Sequence, residues 1–355
     1  MKNYLSIYVI LIISIDPIFC DINIKGISPL NSRIDRKEIY EKSWAIIIGI
    51  NQYKYVKDLQ YAKKDAQDFK DLLVNKFDFD QDNIFLLLDK NATLKNINHI
   101  LSKVALKTTP NDRLVIFFSG HGETINTSNG GELGYLIPTE GEKENLFATG
   151  ISMRAIKDLT SIAKAKHILF LIDACYSGLM TVGTKSPKNR AEIAYLQKII
   201  TAKSRHIITA GSKGEEVIEK SEWGNSAFTK NLIYGLKNGF ADLDNDGIIF
   251  SEELGLFLQK QVSIDTENFQ TPQQGSLTND LGEFAFLTKI SIQIESELNR
   301  NISANTNNHY NSYSHEVKTQ RDQINIEMMD KIDSIKRQNT LLMIGIGILA
   351  VAVFL

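Results

Sequence analysis

The sequence predicts an α/β domain built on a mostly parallel sheet with helices on both faces, and three observations predict it. Five continuous apolar runs recur along the chain, four stretches of helical period lie between them, and two of the runs break off into glycine-bracketed loops.

The first run, Trp44 to Ile50 (WAIIIGI), is apolar and rich in β-branched residues, the pattern of a strand buried on both faces. The same kind of run returns at Ile84 to Leu88, Arg113 to Ser119, His167 to Ala174 and Arg205 to Ala210. Tyr61 to Phe77, Leu94 to Leu106, Met153 to Ala163 and Ala191 to Thr201 read as the intervening helices. In such sheets functional residues gather beyond the carboxyl ends of the strands. The domain is expected over residues 44–288. A polar, Asn- and Ser-rich linker follows over 289–315, then a helical stalk over 316–338 and an apolar tail over 341–355.

Both chain ends read as membrane-directed. Residues 1–20 place Lys2 before the apolar run Leu5 to Ile15, with a break at Asp16-Pro17, the order of a secretory signal peptide or of an uncleaved anchor. The tail Leu341 to Leu355 carries no charge and follows Lys336-Arg337. At ~1.5 Å per residue it reaches roughly 22 Å, short of a ~30 Å hydrocarbon core, so it reads as a marginal anchor or as a terminal helix docked on the domain. Lys336 and Arg337 place the tail's flank in the cytoplasm, whereas a signal peptide places the domain outside. The expected location is therefore membrane-associated, in the secretory or export route, with the side of the membrane left open.

Lys and Arg number 40 against 42 Asp and Glu, and no dense basic patch stands out, which argues against nucleic acid as a partner. The two cysteines are Cys20 and Cys175. If the first segment is removed, Cys175 has no partner for an internal disulfide and is free for chemistry.

Cys175 and His121 stand in comparable places. One strand runs into Ser119-Gly-His-Gly122 and another into Asp173-Ala-Cys-Tyr-Ser-Gly178, so each delivers one reactive side chain to a loop. A cysteine peptidase needs a thiolate nucleophile, an imidazole that moves a proton, and backbone N–H donors for the oxyanion. Cys175, His121 and the amides of Gly122 and Cys175 match those roles, and the chemistry calls for no cofactor.

With the opening strand, the helix YAKKDAQDF at 61–69 and the run from Gln270 to Phe286, these motifs resemble the caspase and metacaspase group of cysteine peptidases. The resemblance implies a caspase-like fold, protein or peptide substrates, and a thiol endopeptidase reaction. It also implies cleavage after Arg or Lys, with Asp65, Ser119 and Asp173 in the pocket that receives the basic side chain. The segment from Leu179 to Ser204 carries Lys185, Lys188 and Arg190 and is the implied place for self-cleavage. A membrane-anchored scaffold of the same fold, or another thiol hydrolase, is the alternative reading. The sequence does not indicate an oligomeric state.

One further motif stands apart. Asp242, Asp244 and Asp246 occupy positions one, three and five of a twelve-residue loop, with Gly247 at six and Glu253 at twelve, the ligand spacing of an EF-hand and a candidate Ca2+ site. Against this, Phe250 at position nine offers no side-chain oxygen, and Ser251-Glu252-Glu253 also reads as an ordinary helix start.

Overall fold

The computed structural model describes residues 39–174, 193–212 and 215–287. Cys175, the basic residues Lys185, Lys188 and Arg190 of the segment expected to undergo self-cleavage, and both chain ends that read as membrane-directed lie outside these residues. All described residues belong to the unit Met1–Ile292. Among them no helix is long and apolar enough to cross a membrane.

In chain order the elements are β1 (Ser43–Gly49), α1 (Ala62–Lys76), β2 (Ile84–Leu88), α2 (Leu94–Lys107), β3 (Arg113–Ser119), β4 (Gly122–Asn126), β5 (Glu132–Leu136), β6 (Ile151–Ser152) and α3 (Met153–Ile162). They continue with β7 (His167–Asp173), α4 (Ile193–Thr201), β8 (Ser204–Thr209), β9 (Glu219–Lys220), β10 (Asn225–Ser226), α5 (Ala227–Asn238), β11 (Ile248–Phe250), α6 (Ser251–Asp265), β12 (Gln273–Ser276) and β13 (Ala285–Leu287).

The five apolar runs form the parallel part of a six-stranded sheet in the order β12-β8-β7-β3-β1-β2, with β12 antiparallel at one edge. Because successive side chains leave a strand on opposite faces, each run feeds two cores. Ala45, Ile47, Val115, Phe117, Leu169 and Leu171 face α1, α5 and α6, where Phe69 stacks on Phe117 with ring centroids 4.8 Å apart. Their neighbours Ile46, Ile48, Ile116, Phe118 and Phe170 face α2 and α3 through Ile97, Val104 and Ile156. Double-sided burial is why these strands show no polar alternation.

Gly49 ends β1 where α1 crosses it. A Cβ there would lie 2.5 Å from the Ala62 carbonyl oxygen and 2.6 Å from the Ala66 methyl, so only glycine allows this close approach. The crossing brings α1, with Asp65 on its inner face, against the carboxyl ends of the strands.

The small antiparallel pieces leave no local mark in the sequence. β4, β5 and β6 form a three-stranded sheet beyond β3, and β11 pairs with β13 beside the acidic loop. β4 and β6 are short and largely polar, so their pairing rests on long-range register rather than on local pattern.

Candidate active site

β3 and β7 are parallel neighbours, and their register sets Ser119 opposite Asp173. The Gly120 N–H crosses to the Asp173 carbonyl oxygen at 3.2 Å. His121 thus follows Ser119 by two residues, as Cys175 follows Asp173 by two in sequence. A cleft of about 790 Å3 opens over this edge, lined by Ser119, Gly120, His121, Gly122 and Asp173.

His121 is held from two sides by the loop between β1 and α1. Its Nε2 lies 2.7 Å from the Lys57 carbonyl oxygen. A carbonyl only accepts, so Nε2 carries the proton and Nδ1 of the neutral ring is left as the acceptor. The His121 backbone N–H donates to the Tyr53 hydroxyl at 2.8 Å, and the two rings pack with centroids 4.9 Å apart. Gly120 must be small for this, since a Cβ would come within 2.5 Å of the same hydroxyl. The loop itself is braced by Asp89, which accepts the N–H groups of Asn51 and Gln52, and by Asp58, which accepts that of Tyr53. Burial holds the His121 imidazole below its ordinary pKa, opposed by the hydrogen bond to Lys57, so the ring is neutral at neutral pH.

Tyr53 was not legible as a site residue. Its loss is expected to loosen the histidine rather than the substrate. Tyr53→Phe should lower kcat about tenfold with KM within roughly twofold, as read by steady-state kinetics on a peptide substrate.

Gly122 opens β4. The Ile137 N–H bonds the His121 carbonyl oxygen at 2.9 Å, which makes His121 and Ile137 a hydrogen-bonded pair of the antiparallel ladder. Gly122, opposite Leu136, is then at a non-hydrogen-bonded position, and its N–H turns away from β5. That leaves it available as an oxyanion donor, the role expected for it. The companion amide of Cys175 lies outside the described residues.

Asp65, Ser119 and Asp173 are brought together, and all three are buried. The Ser119 hydroxyl donates to Asp65 Oδ2 at 3.2 Å. Asp65 Oδ1 accepts from Asn225 Nδ2 at 2.8 Å and from the Ser226 N–H at 3.3 Å. Asp173 Oδ2 accepts the hydroxyls of Ser226 at 2.5 Å and Thr229 at 2.7 Å, while its Oδ1 is buried with no hydrogen-bond partner among the described residues. Asp65 therefore does not sit on the solvated face of its charged helix. Its charged neighbours Lys63, Lys64 and Asp68 keep contact with solvent, whereas the Asp65 carboxyl turns in.

Burial raises both carboxyls above the ordinary range, and the charge of Asp173 pushes Asp65 up further. The folded chain then binds more protons than the unfolded one from about pH 4 upward. Stability contributed by Asp65 falls as pH rises through that window. Asp65→Asn is expected to raise the Tm at pH 8 by about 2–4 °C, with the gain vanishing near pH 4, in thermal melts at the two pH values.

The walls of the cleft carry Glu123, Glu132, Glu215 and Glu219 against Lys57 and Lys143. Glu219 is fixed by accepting the N–H groups of Gln60 and Tyr61 at 3.3 Å each.

A family model of the caspase domain, the C14 peptidases, matches residues 42–280. The chain belongs to the caspase-domain family of cysteine peptidases. Metacaspase-1 of Arabidopsis thaliana is 32% identical over 146 residues, covering 38% of this chain and 39% of that protein. Metacaspase-1 of Plasmodium falciparum (isolate 3D7) is 28% identical over 275 residues, covering 69% of this chain and 42% of that protein. The matches thus span about two fifths of the length of these relatives. A solved structure of a Geobacter sulfurreducens protein superposes with a TM-score of 0.47 at 18% identity, over 66% of this chain and 93% of that one.

The caspase domain also contains the acidic loop, between α5 and β11 and the start of α6. Oxygens of Asp242, Asp244 and Asp246 lie within 4.8 Å of one another. Asn245 (φ 58°) and Gly247 (φ 88°) take the left-handed backbone that turns the loop sharply. Glu253 reaches back from α6, its Oε1 accepting the Leu243 N–H at 3.0 Å and its Oε2 the Phe250 N–H at 3.0 Å. It therefore caps the helix while also holding the backbone of the loop. Asp246 Oδ2 is buried without a partner among the described residues, and burial, with the charges of Asp244, Asp242 and Glu253, pushes its carboxyl up to about 7.

Proposed function

We propose that this caspase domain is an endopeptidase that cleaves after Arg or Lys through Cys175 and His121. The observation that carries the reading is the buried Asp173 Oδ1, unpartnered among the described residues, in the same cleft as a neutral His121 whose Nδ1 is left as the acceptor. A carboxylate oxygen without a donor, inside a cleft of surplus negative charge, fits a cationic side chain.

In this reading His121 Nδ1 takes the proton of the Cys175 thiol, the resulting thiolate attacks the scissile carbonyl carbon, and the Gly122 amide stabilises the oxyanion. The C–N bond breaks as His121 Nδ1 gives that proton to the departing amine. Water, losing a proton to His121, then cleaves the thioester and restores the thiol. No cofactor enters these steps.

The test is hydrolysis by the full chain of fluorogenic peptides carrying Arg, Lys or Asp before the scissile bond, with Cys175→Ala as control. Cleavage after Arg and Lys that disappears in the variant supports the reading. Equal rates on all three peptides sink the pocket, and no cleavage by folded protein favours a scaffold.

We further propose that Asp242, Asp244, Asp246 and Glu253 hold Ca2+. Three converging carboxylates and the left-handed turn at Asn245 and Gly247 support it, since short acidic side chains at alternate positions converge on one hard cation. At a hundredfold excess over Kd the ion is expected to add about 2.7 kcal/mol. That corresponds to a Tm rise of roughly 5–10 °C for a domain of this size. The shift should vanish in Asp244→Asn/Glu253→Gln, as read by thermal melts with Ca2+ and with chelator, and an equal Tm in both conditions counts against the site.

A further inference from the structure

The two pocket carboxylates present four oxygens, and three of them are already committed within the protein. Asp65 spends Oδ2 on Ser119 and Oδ1 on Asn225 and the Ser226 N–H. Asp173 spends Oδ2 on Ser226 and Thr229 and keeps Oδ1 unpartnered. Both hydroxyls that bind Asp173 come from the first turn of α5 or its cap. Ser226 is 1% exposed and Thr229 is fully buried.

This turn is a closed network with one opening. The Ser226 hydroxyl donates to Asp173 and accepts the Thr229 N–H at 2.9 Å, so it caps the helix and holds the carboxylate together. The Thr229 hydroxyl spends its proton on the same oxygen. Each bond favours the charged form of Asp173, and α5, twelve residues long, aligns its N-terminal dipole with that charge. Asp65 lacks hydroxyl donors from α5 and is the more readily neutral of the pair.

We infer that Ser226 and Thr229 are positioning residues for substrate specificity, tying Asp173 Oδ2 so that Oδ1 alone is presented, charged, to the basic side chain before the scissile bond. The inference rests on the peptidase reading above and names what makes its pocket selective. It also fixes the contact as one oxygen, because a two-pronged Arg–carboxylate fork needs both.

Thr229→Val removes one hydroxyl at nearly constant shape and leaves the helix cap in place, and Thr229→Ser restores the hydroxyl. For Arg and Lys peptides the valine variant is expected to raise KM about tenfold at pH 7, with kcat within roughly twofold. The acid limb of kcat/KM should move to higher pH, because a lost donor disfavours the carboxylate. The charged or titratable neighbours of Asp173 are Asp65 from α1 and Glu219 from β9, with His121 and Glu215 lining the same cleft. None of these is altered by the substitution. The serine variant should return both KM and the acid limb to those of the unaltered chain.

A valine variant that matches an active unaltered chain in KM and acid limb overturns this inference and leaves the peptidase reading intact. Failure of the unaltered chain to cleave after basic residues overturns both. Should valine prevent folding, judged by thermal melts, Thr229→Ala repeats the test without adding bulk, and the same two results decide.

Discussion

His121→Ala is expected to lower kcat/KM on an Arg peptide by at least about a thousandfold. The size follows from what the ring is arranged to do. With Nε2–H donated to the Lys57 carbonyl, Nδ1 is the one nitrogen able to accept a proton from the thiol and return it to the leaving amine. No other histidine lines the cleft among the described residues. The substitution removes no buried apolar mass, because His121 is only partly buried, so the Tm should stay within about 2 °C. The same assay with Lys57 replaced is expected to show far less change, since the acceptor is its backbone carbonyl and survives any side-chain substitution. Residual activity in His121→Ala near that of the unaltered chain would remove His121 from the chemistry.

Asp173→Asn should act on the other half of the site, lowering kcat/KM for Arg and Lys peptides about a hundredfold, chiefly through KM. An amide keeps the shape and still accepts from Ser226 and Thr229, but it offers no charge to a guanidinium or ammonium. A hydrogen bond to a charged group contributes about 1.5–3 kcal/mol, and loss of the ion pair in a buried cleft adds to it. Below the pH at which Asp173 takes up a proton, the unaltered chain should behave as the variant does. Burial raises that pH above the ordinary carboxylate range, while the hydroxyls of Ser226 and Thr229 restrain it. Profiles of kcat/KM against pH for the two proteins are therefore expected to converge at the acid end and diverge toward neutrality. Parallel profiles would show that another group receives the basic side chain.

Much of the architecture was legible because burial on both sides of a parallel sheet leaves a local mark. The run Arg113 to Ser119 is continuous and apolar between its first and last residues, and it became β3 with the same bounds. The helix expected from Leu94 to Leu106 is α2, which runs one residue further, to Lys107. By contrast, β12 reads QQGS and carries nothing of a strand's alternation, since it pairs at an edge through its backbone. Asp65 was read from its place in a family pattern. Its local context, a charged helix start, gave no reason for a carboxyl to be buried.

The sequence by itself determined the parallel sheet, the loop bearing His121, and the acidic spacing from Asp242 to Glu253, because each depends on residue type and short-range period. Only the tertiary structure decided what orients them. The Lys57 carbonyl is 64 positions from His121, Asn225 is 160 from Asp65, and Thr229 is 56 from Asp173. A backbone carbonyl or a helix-capping hydroxyl looks the same at every position in a sequence. It acquires a partner only when the register of β3 with β7 and the crossing of α1 over Gly49 bring distant segments to one edge of the sheet.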